Sequence, residues 1–102
     1  MAITFRMYLY GRRGRCHENF RAPQITHRSV VHISVSEATQ LPPQTFTPIF
    51  GRFVGAANIS VHNVSPSDGR VDFVVMVDWR SPLNIVTDIT VMDDPAAVVV
   101  GQ

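Results

Sequence analysis

His62 and Asp72 are two residues whose types could support acid–base chemistry, and they lie on either side of a turn signal at 68–69. That Asp-Gly pair is typical of a tight β-hairpin, because glycine readily adopts positive φ. If the hairpin pairs Asn63 with Val71, His62 lies opposite Asp72 on the adjoining strand. A carboxylate there would hold the imidazole in one tautomer, as a general base requires. An ordinary cross-strand polar pair is the alternative interpretation.

A connection rich in proline and phenylalanine is predicted over 41–51, and it offers a cover for such a pair. Exposed loops seldom present large aromatic side chains to solvent, so Phe46, Ile49 and Phe50 are expected to cap an open end of the core. One hypothesis is therefore a small-molecule-binding protein or enzyme that uses His62 and Asp72 beneath the loop 46–53. No serine or cysteine can be assigned as a nucleophile beside them. We predict neither a cofactor nor a metal ion.

Arginine supplies all the basic side chains, since the chain has nine arginines and no lysine. Six of the nine lie in the first 28 residues with one acid, whereas three arginines face seven acids in the remainder. Within a basic loop predicted over 11–28, Arg12, Arg13 and Arg15 alternate with glycines that give a ligand access to the backbone. The paired N–H donors of an arginine guanidinium match the oxygens of phosphate or sulfate groups. A second hypothesis is thus binding of a polyanion or nucleic acid, and a solvated loop or pairing with the acidic half is the alternative.

A strand period of two residues is the strongest structural signal and appears in five windows, at 3–10, 29–36, 52–64, 71–79 and 83–91. Apolar residues alternate with polar ones in each window, and turn residues separate the last three. The pattern predicts one all-β domain over 1–102, an antiparallel β-sandwich or small β-barrel with a C-terminal three-strand meander. Residues 93–102 are predicted to form a tail that adds an edge strand to its own or a neighbouring subunit.

The predicted meander leaves apolar residues on the face that should meet water. If Trp79 pairs with Leu83, the outward set includes four apolar side chains, Val54, Val74, Met76 and Val86. A face this apolar needs a cover, either a second layer of the same chain or another subunit. The leading hypothesis is therefore a small non-enzymatic binding or assembly module that forms a homo-oligomer through these residues.

Membrane and secretion signals are the remaining points that the sequence addresses. No apolar run approaches the roughly 20 residues of a membrane-spanning helix, and residues 1–10 lack the layout of a secretory signal. The single cysteine, Cys16, cannot form an internal disulfide, which agrees with a reducing compartment. We therefore expect a cytoplasmic protein with no membrane partner.

Overall fold

The structure, a computed structural model, describes residues 1–41 and 49–101. In this part of the chain all regular structure is β, and there is no helix long and apolar enough to cross a membrane. The strands are β1 (Ile3–Arg12), β2 (Gly14–Arg21), β3 (Val30–Leu41), β4 (Ile49–Phe53), β5 (Asn58–Ser67), β6 (Arg70–Asp78) and β7 (Leu83–Met92).

The strands form two antiparallel sheets that face each other across the core. The four-strand sheet has the order β1-β7-β3-β4, and the three-strand sheet has the order β2-β6-β5. The predicted all-β class is confirmed, and the two sheets, one of them curled, agree with a β-sandwich or small barrel. This topology gives the molecule two outer faces, which differ in how they use their charged residues.

The meander predicted from β5 to β7 needs a correction. Its first hairpin, β5–β6, is present, but β7 lies in the other sheet. Leu83 pairs with Arg12 of β1 instead of Trp79. The physical reason is that β6 already has β2 on one side and β5 on the other, so neither of its edges can accept another strand. The chain turns away just after β6, where the Trp79 amide donates to the Val77 carbonyl at 3.1 Å.

The prediction of a basic loop over 11–28 was wrong where β2 forms. The signal was weak because the inward positions of β2 are Cys16, Glu18 and Phe20, of which only the last is a large apolar residue. Strand pairing along β6 overrides this poor pattern, since β6 supplies the apolar partners. The rest of the predicted loop, residues 22–29, forms two turns that place Ala22 and Ile25 in the core.

The core lies between the inner faces of the sheets. Ala22 and Ile25 close one end of it, and they are held by backbone hydrogen bonds to the β5–β6 turn: the Ala22 amide donates to the Gly69 carbonyl, and the Gly69 amide donates to the Ile25 carbonyl. The buried cluster consists of Leu9, Ala22, Ile25, Val71, Phe73, Val75, Val77, Ile85, Ile89 and Val91.

The two remaining predicted segments have different outcomes. In the connection predicted over 41–51, residues 49–51 belong to β4, whereas 42–48, including Phe46, lie outside the described residues. In the predicted tail, residues 93–101 form no strand, and the side chains of Val98, Val99 and Val100 are 83, 87 and 85% exposed. The added edge strand is therefore not formed within this chain.

Candidate anion-binding face

The outer face of the three-strand sheet carries most of the polar candidates. Because side chains alternate along a strand, the residues between the buried Val71, Phe73, Val75 and Val77 of β6 point away from the core. Together with Arg21 and Arg70 at one end, this surface is called the basic face below. Its rows across β2, β6 and β5 are Arg15–Met76–Ser60, His17–Val74–His62 and Asn19–Asp72–Ser65.

The register of the β5–β6 hairpin decides which residues meet on this face. The predicted turn is present, with Ser67 paired to Arg70 and with Gly69 at a φ of 84°. A bulge follows between His62 and Ser65, where Asn63 has a φ of 56°. His62 therefore lies opposite Val74, and its predicted pairing with Asp72 was wrong. The bulge inserts one residue into β5, so the core-facing positions shift from Ile59 and Val61 to Val64, whereas the predicted pairing assumed an unbroken alternation.

Asp72 has different partners from the predicted one. His17 Nε2 lies 3.1 Å from its Oδ1, and Arg70 donates to both carboxylate oxygens, at 3.0 Å from Nε and 2.5 Å from Nη2. The Arg70 hydrogen bonds hold the pKa of Asp72 below its usual range, and the bond with His17 adds to this effect. His62 instead has its Nε2 2.9 Å from the hydroxyl of Ser60. The carboxylate is thus neutralised within the face.

The hypothesis of a site beneath the loop 46–53 is not supported by these positions. His62 is exposed on the outer face of the three-strand sheet, whereas Phe53 belongs to β4 at the edge of the four-strand sheet. Asp72 accompanies His62 on that open outer face without contacting it. An acid–base pair built from His62 and Asp72 is therefore not assembled in the described residues.

The four apolar residues of the predicted oligomer interface do not form one patch. Val74 and Met76 lie on the outer face of the three-strand sheet, Val86 lies on that of the four-strand sheet, and Val54 follows β4 outside any strand. Val74 and Val86 are only 6 and 0% exposed. Each stands on the central strand with a partner on both sides, His17 and His62 for Val74. Residues on the flanking strands therefore cover Val74 and Val86, although the alternation in the sequence alone predicts that both are exposed.

The three arginines of the predicted polyanion site have separate roles. Arg12 donates to Glu18 from Nε at 2.6 Å and from Nη2 at 3.1 Å, and these hydrogen bonds raise its pKa. Glu18 lies on the inward side of β2, so Arg12 serves to neutralise a carboxylate that is only 12% exposed. Arg13 and Arg15 are exposed and make no ion pair within the described part of the chain.

Arg21 is a further basic residue of this face that sequence reasoning did not select. It shares the outward side of β2 with Arg15 and His17, and it too has no carboxylate partner among the described residues. The alternation of these residues with Cys16, Glu18 and Phe20 is the signal that identifies them as one row. Cys16, with its thiol donating to the carbonyl of Arg13 at 3.4 Å, faces the opposite side.

A groove of about 550 Å³ lies at the end of the basic face where β2 begins. Arg13 borders it on one side, and Asn58, Ser60 and His62 border it on the other. Trp79 also lines the groove, with the Arg80 guanidinium 5.1 Å from the centre of its ring. The groove therefore combines the guanidinium of Arg13 with the carboxylate of Asp78, which also lines it, with hydrogen-bonding side chains and with an aromatic surface.

The outer face of the four-strand sheet shows the opposite use of arginine. Arg6 of β1 donates to both oxygens of Asp88 at 2.6 and 2.8 Å, and Arg52 of β4 donates to Asp88 at 2.9 Å. Arg52 also donates to the hydroxyl of Ser34 on β3 at 3.2 Å. The Arg6 hydrogen bonds, followed by the charges of both arginines, hold the pKa of Asp88 below its usual range. Arg6 and Arg52 therefore link β1 and β4 to β7 through Asp88, and their guanidinium groups are already paired with a carboxylate.

Metal chemistry and known relatives complete the description of the site. Within residues 1–41 and 49–101, no cluster of three or more His, Cys, Asp or Glu side chains is arranged to hold a metal ion. Comparison with protein-family models, with curated proteins and with solved structures finds no match for this chain.

Proposed function

We propose that this protein is a binding module whose basic face takes a linear polyanion bearing phosphate or sulfate groups. The observation that carries the proposal is the set of three arginines, Arg13, Arg15 and Arg21, which are exposed and have no carboxylate partner among the described residues. A guanidinium presents paired N–H donors that match the oxygens of such groups.

The spacing of these arginines favours an extended ligand. Residues on one face of a strand recur about every 6.6 Å, so Arg15 and Arg21 of β2 lie about 20 Å apart, and Arg13 directly precedes this strand. A compact anion would contact one of these groups, whereas a chain of anions running along β2 contacts all three. Each contact releases counterions from the polyanion, which makes the binding strongly dependent on salt.

The charge balance of the face also supports the proposal. The face carries two acids: Asp72 near its middle, which Arg70 and His17 already engage, and Asp78 at the groove end. The net charge of the whole protein is only +1, so the attraction must come from this local arrangement and not from overall charge. Asn58, Ser60 and His62 add hydrogen-bonding groups along the groove.

The test compares two double variants that remove the same charge. R15Q/R21Q removes two unpaired arginines of the basic face, and R28Q/R52Q removes two arginines that are already paired with Asp94 and Asp88. Binding of fluorescent heparin octasaccharide, polyphosphate and oligodeoxythymidylate is measured by anisotropy at several salt concentrations. The three probes separate sulfate from phosphate ligands.

For R15Q/R21Q we expect weaker binding and a slope of log K against log salt that is shallower by about 0.7–0.9 for each lost contact. R28Q/R52Q should bind as the wild type does, because its arginines lie elsewhere. Unchanged binding by R15Q/R21Q, or equal weakening in both variants, would overturn the proposal. Circular dichroism of both variants confirms that they are folded.

A further inference from the structure

The segment 96–101, which follows β7, is an apolar stretch without a cover. It contains Val98, Val99 and Val100, which are 83, 87 and 85% exposed, and its backbone takes part in no strand. Three successive valines strongly favour an extended strand, since β-branched side chains pack well on a pleated surface. To form a strand, such a run needs only the edge of a neighbouring strand with which to pair.

Strand β1 provides a long sheet edge beside which no described strand lies. Sheet edges are normally guarded by charges, prolines or bulges. On the three-strand sheet, β5 carries Pro66 and the bulge at Asn63, and β2 carries the arginines of the basic face. Strand β1 also carries two arginines, Arg6 and Arg12, and a bulge between Leu9 and Arg12, but it pairs with β7 without interruption from Ile3 to Leu9 and contains no proline. No described strand pairs with its second edge.

The inward side chains near the β1 edge are also incompletely covered. Ile3 is 40% exposed, and Phe5 and Met7 are only partly buried, although they pack against the core. Phe5 contacts Phe20 of β2 across the gap between the sheets, with ring centres 5.0 Å apart. An added strand beside β1 would place every second one of its side chains over this apolar border.

The segment does not reach this edge within its own chain. Asp94 pairs with Arg28, with 3.5 Å between the charged atoms, and Pro95 and Val98 line a groove with His27 and Arg28. These partners precede β3, which flanks β7 on the side opposite β1. Although Asp93 pairs with the amino group of Met1, Pro95 and Val98 thus lie beside the residues that precede β3, and a β1 edge that the segment can join belongs to another molecule.

We infer that residues 96–101 of one copy add as a strand to the β1 edge of a second copy, so that the protein associates with itself by strand addition. The main-chain hydrogen bonds supply the affinity, and two alternate valines cover the apolar border at Ile3 and Phe5. Because donor and acceptor are different surfaces, the contact is head-to-tail and continues into longer assemblies unless it closes into a ring. This association uses neither the basic face nor a polyanion.

The test separates the donor from the acceptor. V99P removes a main-chain donor from the segment, and I3K places a charge on the β1 edge, while V54D is the control because Val54 is 100% exposed and lies elsewhere. Light scattering over a range of concentrations should show association for the wild type and V54D, and monomers for V99P and for I3K. Mixing V99P with I3K should restore a complex of two chains, since each retains the half that the other lacks.

Three results would overturn the inference: a wild-type protein that stays monomeric at the highest concentration reached, association of V99P equal to that of the wild type, or a mixture of V99P and I3K that shows no complex. Misfolding would not explain a monomeric V99P variant, because residue 99 lies outside the strands and the core.

Discussion

The two outer faces of this sandwich differ in how many of their arginines are paired, since only Arg70 of the basic face has a carboxylate partner. On the four-strand sheet, Arg6 and Arg52 reach the same carboxylate, Asp88, and join three elements of the sheet through it. On the three-strand sheet, Arg15 lies opposite Met76, and Arg13 and Arg15 find no carboxylate within the described residues. The residue type is the same on both faces, and the cross-strand neighbour decides whether it stabilises the fold or remains available to a ligand.

Both faces nevertheless share a covered apolar centre. Val86 and Val74 stand on the central strands β7 and β6, and each is almost completely buried by its neighbours. An outward position in a sheet is therefore not the same as an exposed one. This explains why apolar residues on these faces are no evidence for an interface by themselves.

The largest loss of stability is expected when the buried valines of this apolar centre are shortened to alanine. V86A and V74A each remove two buried methyl groups, and each should lower the free energy of unfolding by about 2 kcal/mol. V54A is the matched control, because Val54 is 100% exposed, and its effect should stay within about 0.5 kcal/mol. Urea denaturation measures all three. Equal stability of V86A and V54A would show that Val86 is not covered as described.

A smaller effect should separate the charged networks of the two faces. D88A leaves Arg6 and Arg52 close together without their shared carboxylate, whose side chain is 20% exposed, and should cost about 1–2 kcal/mol. D72A should cost less, because Asp72, Arg70 and His17 are more exposed and solvent weakens their interactions. Urea denaturation at pH 7 ranks the two variants. A larger loss in D72A would contradict the contrast between the faces.

The smallest expected effect is on how the stability of the protein changes with pH under acidic conditions. The pKa of Asp88 is lowered from its ordinary value of 3.8, chiefly by the hydrogen bonds from Arg6, so the unfolded chain takes up this proton at a higher pH than the folded protein. The stabilisation is complete above that ordinary value and is lost as the pH falls through the lower, folded-state pKa. Thermal unfolding between about pH 5 and 2 should therefore show a smaller loss of Tm in D88N than in the wild type.

The alternation of residues predicted the all-β class and the inward sides of the strands, because burial on one face leaves a period of two in the sequence. It did not identify β2, in which Cys16 and Glu18 occupy inward positions. Glu18 is tolerated there because Arg12 neutralises it, and that partner is visible only in three dimensions. Arg21 was missed for the same reason, since a row of outward residues requires a strand.

The candidate site depended on information that is not local. The Asp-Gly turn and its position in the hairpin could be predicted from residue type, since positive φ favours glycine. The bulge at Asn63 could not, and it moved His62 from Asp72 to Val74. The crossing of β7 to the other sheet was equally hidden, because it follows from β2 and β5 occupying both edges of β6.

By itself, the sequence determined that this chain forms strands, which side of most strands is buried, where one hairpin turns, and that its basic charge is concentrated in the first 28 residues. Those properties follow from local chemistry and from the period of the backbone. Only the tertiary structure decided which arginines meet a carboxylate and which do not, because cross-strand neighbours are set by sheet order and register. The availability of Arg13, Arg15 and Arg21 for a ligand is a result of that pairing.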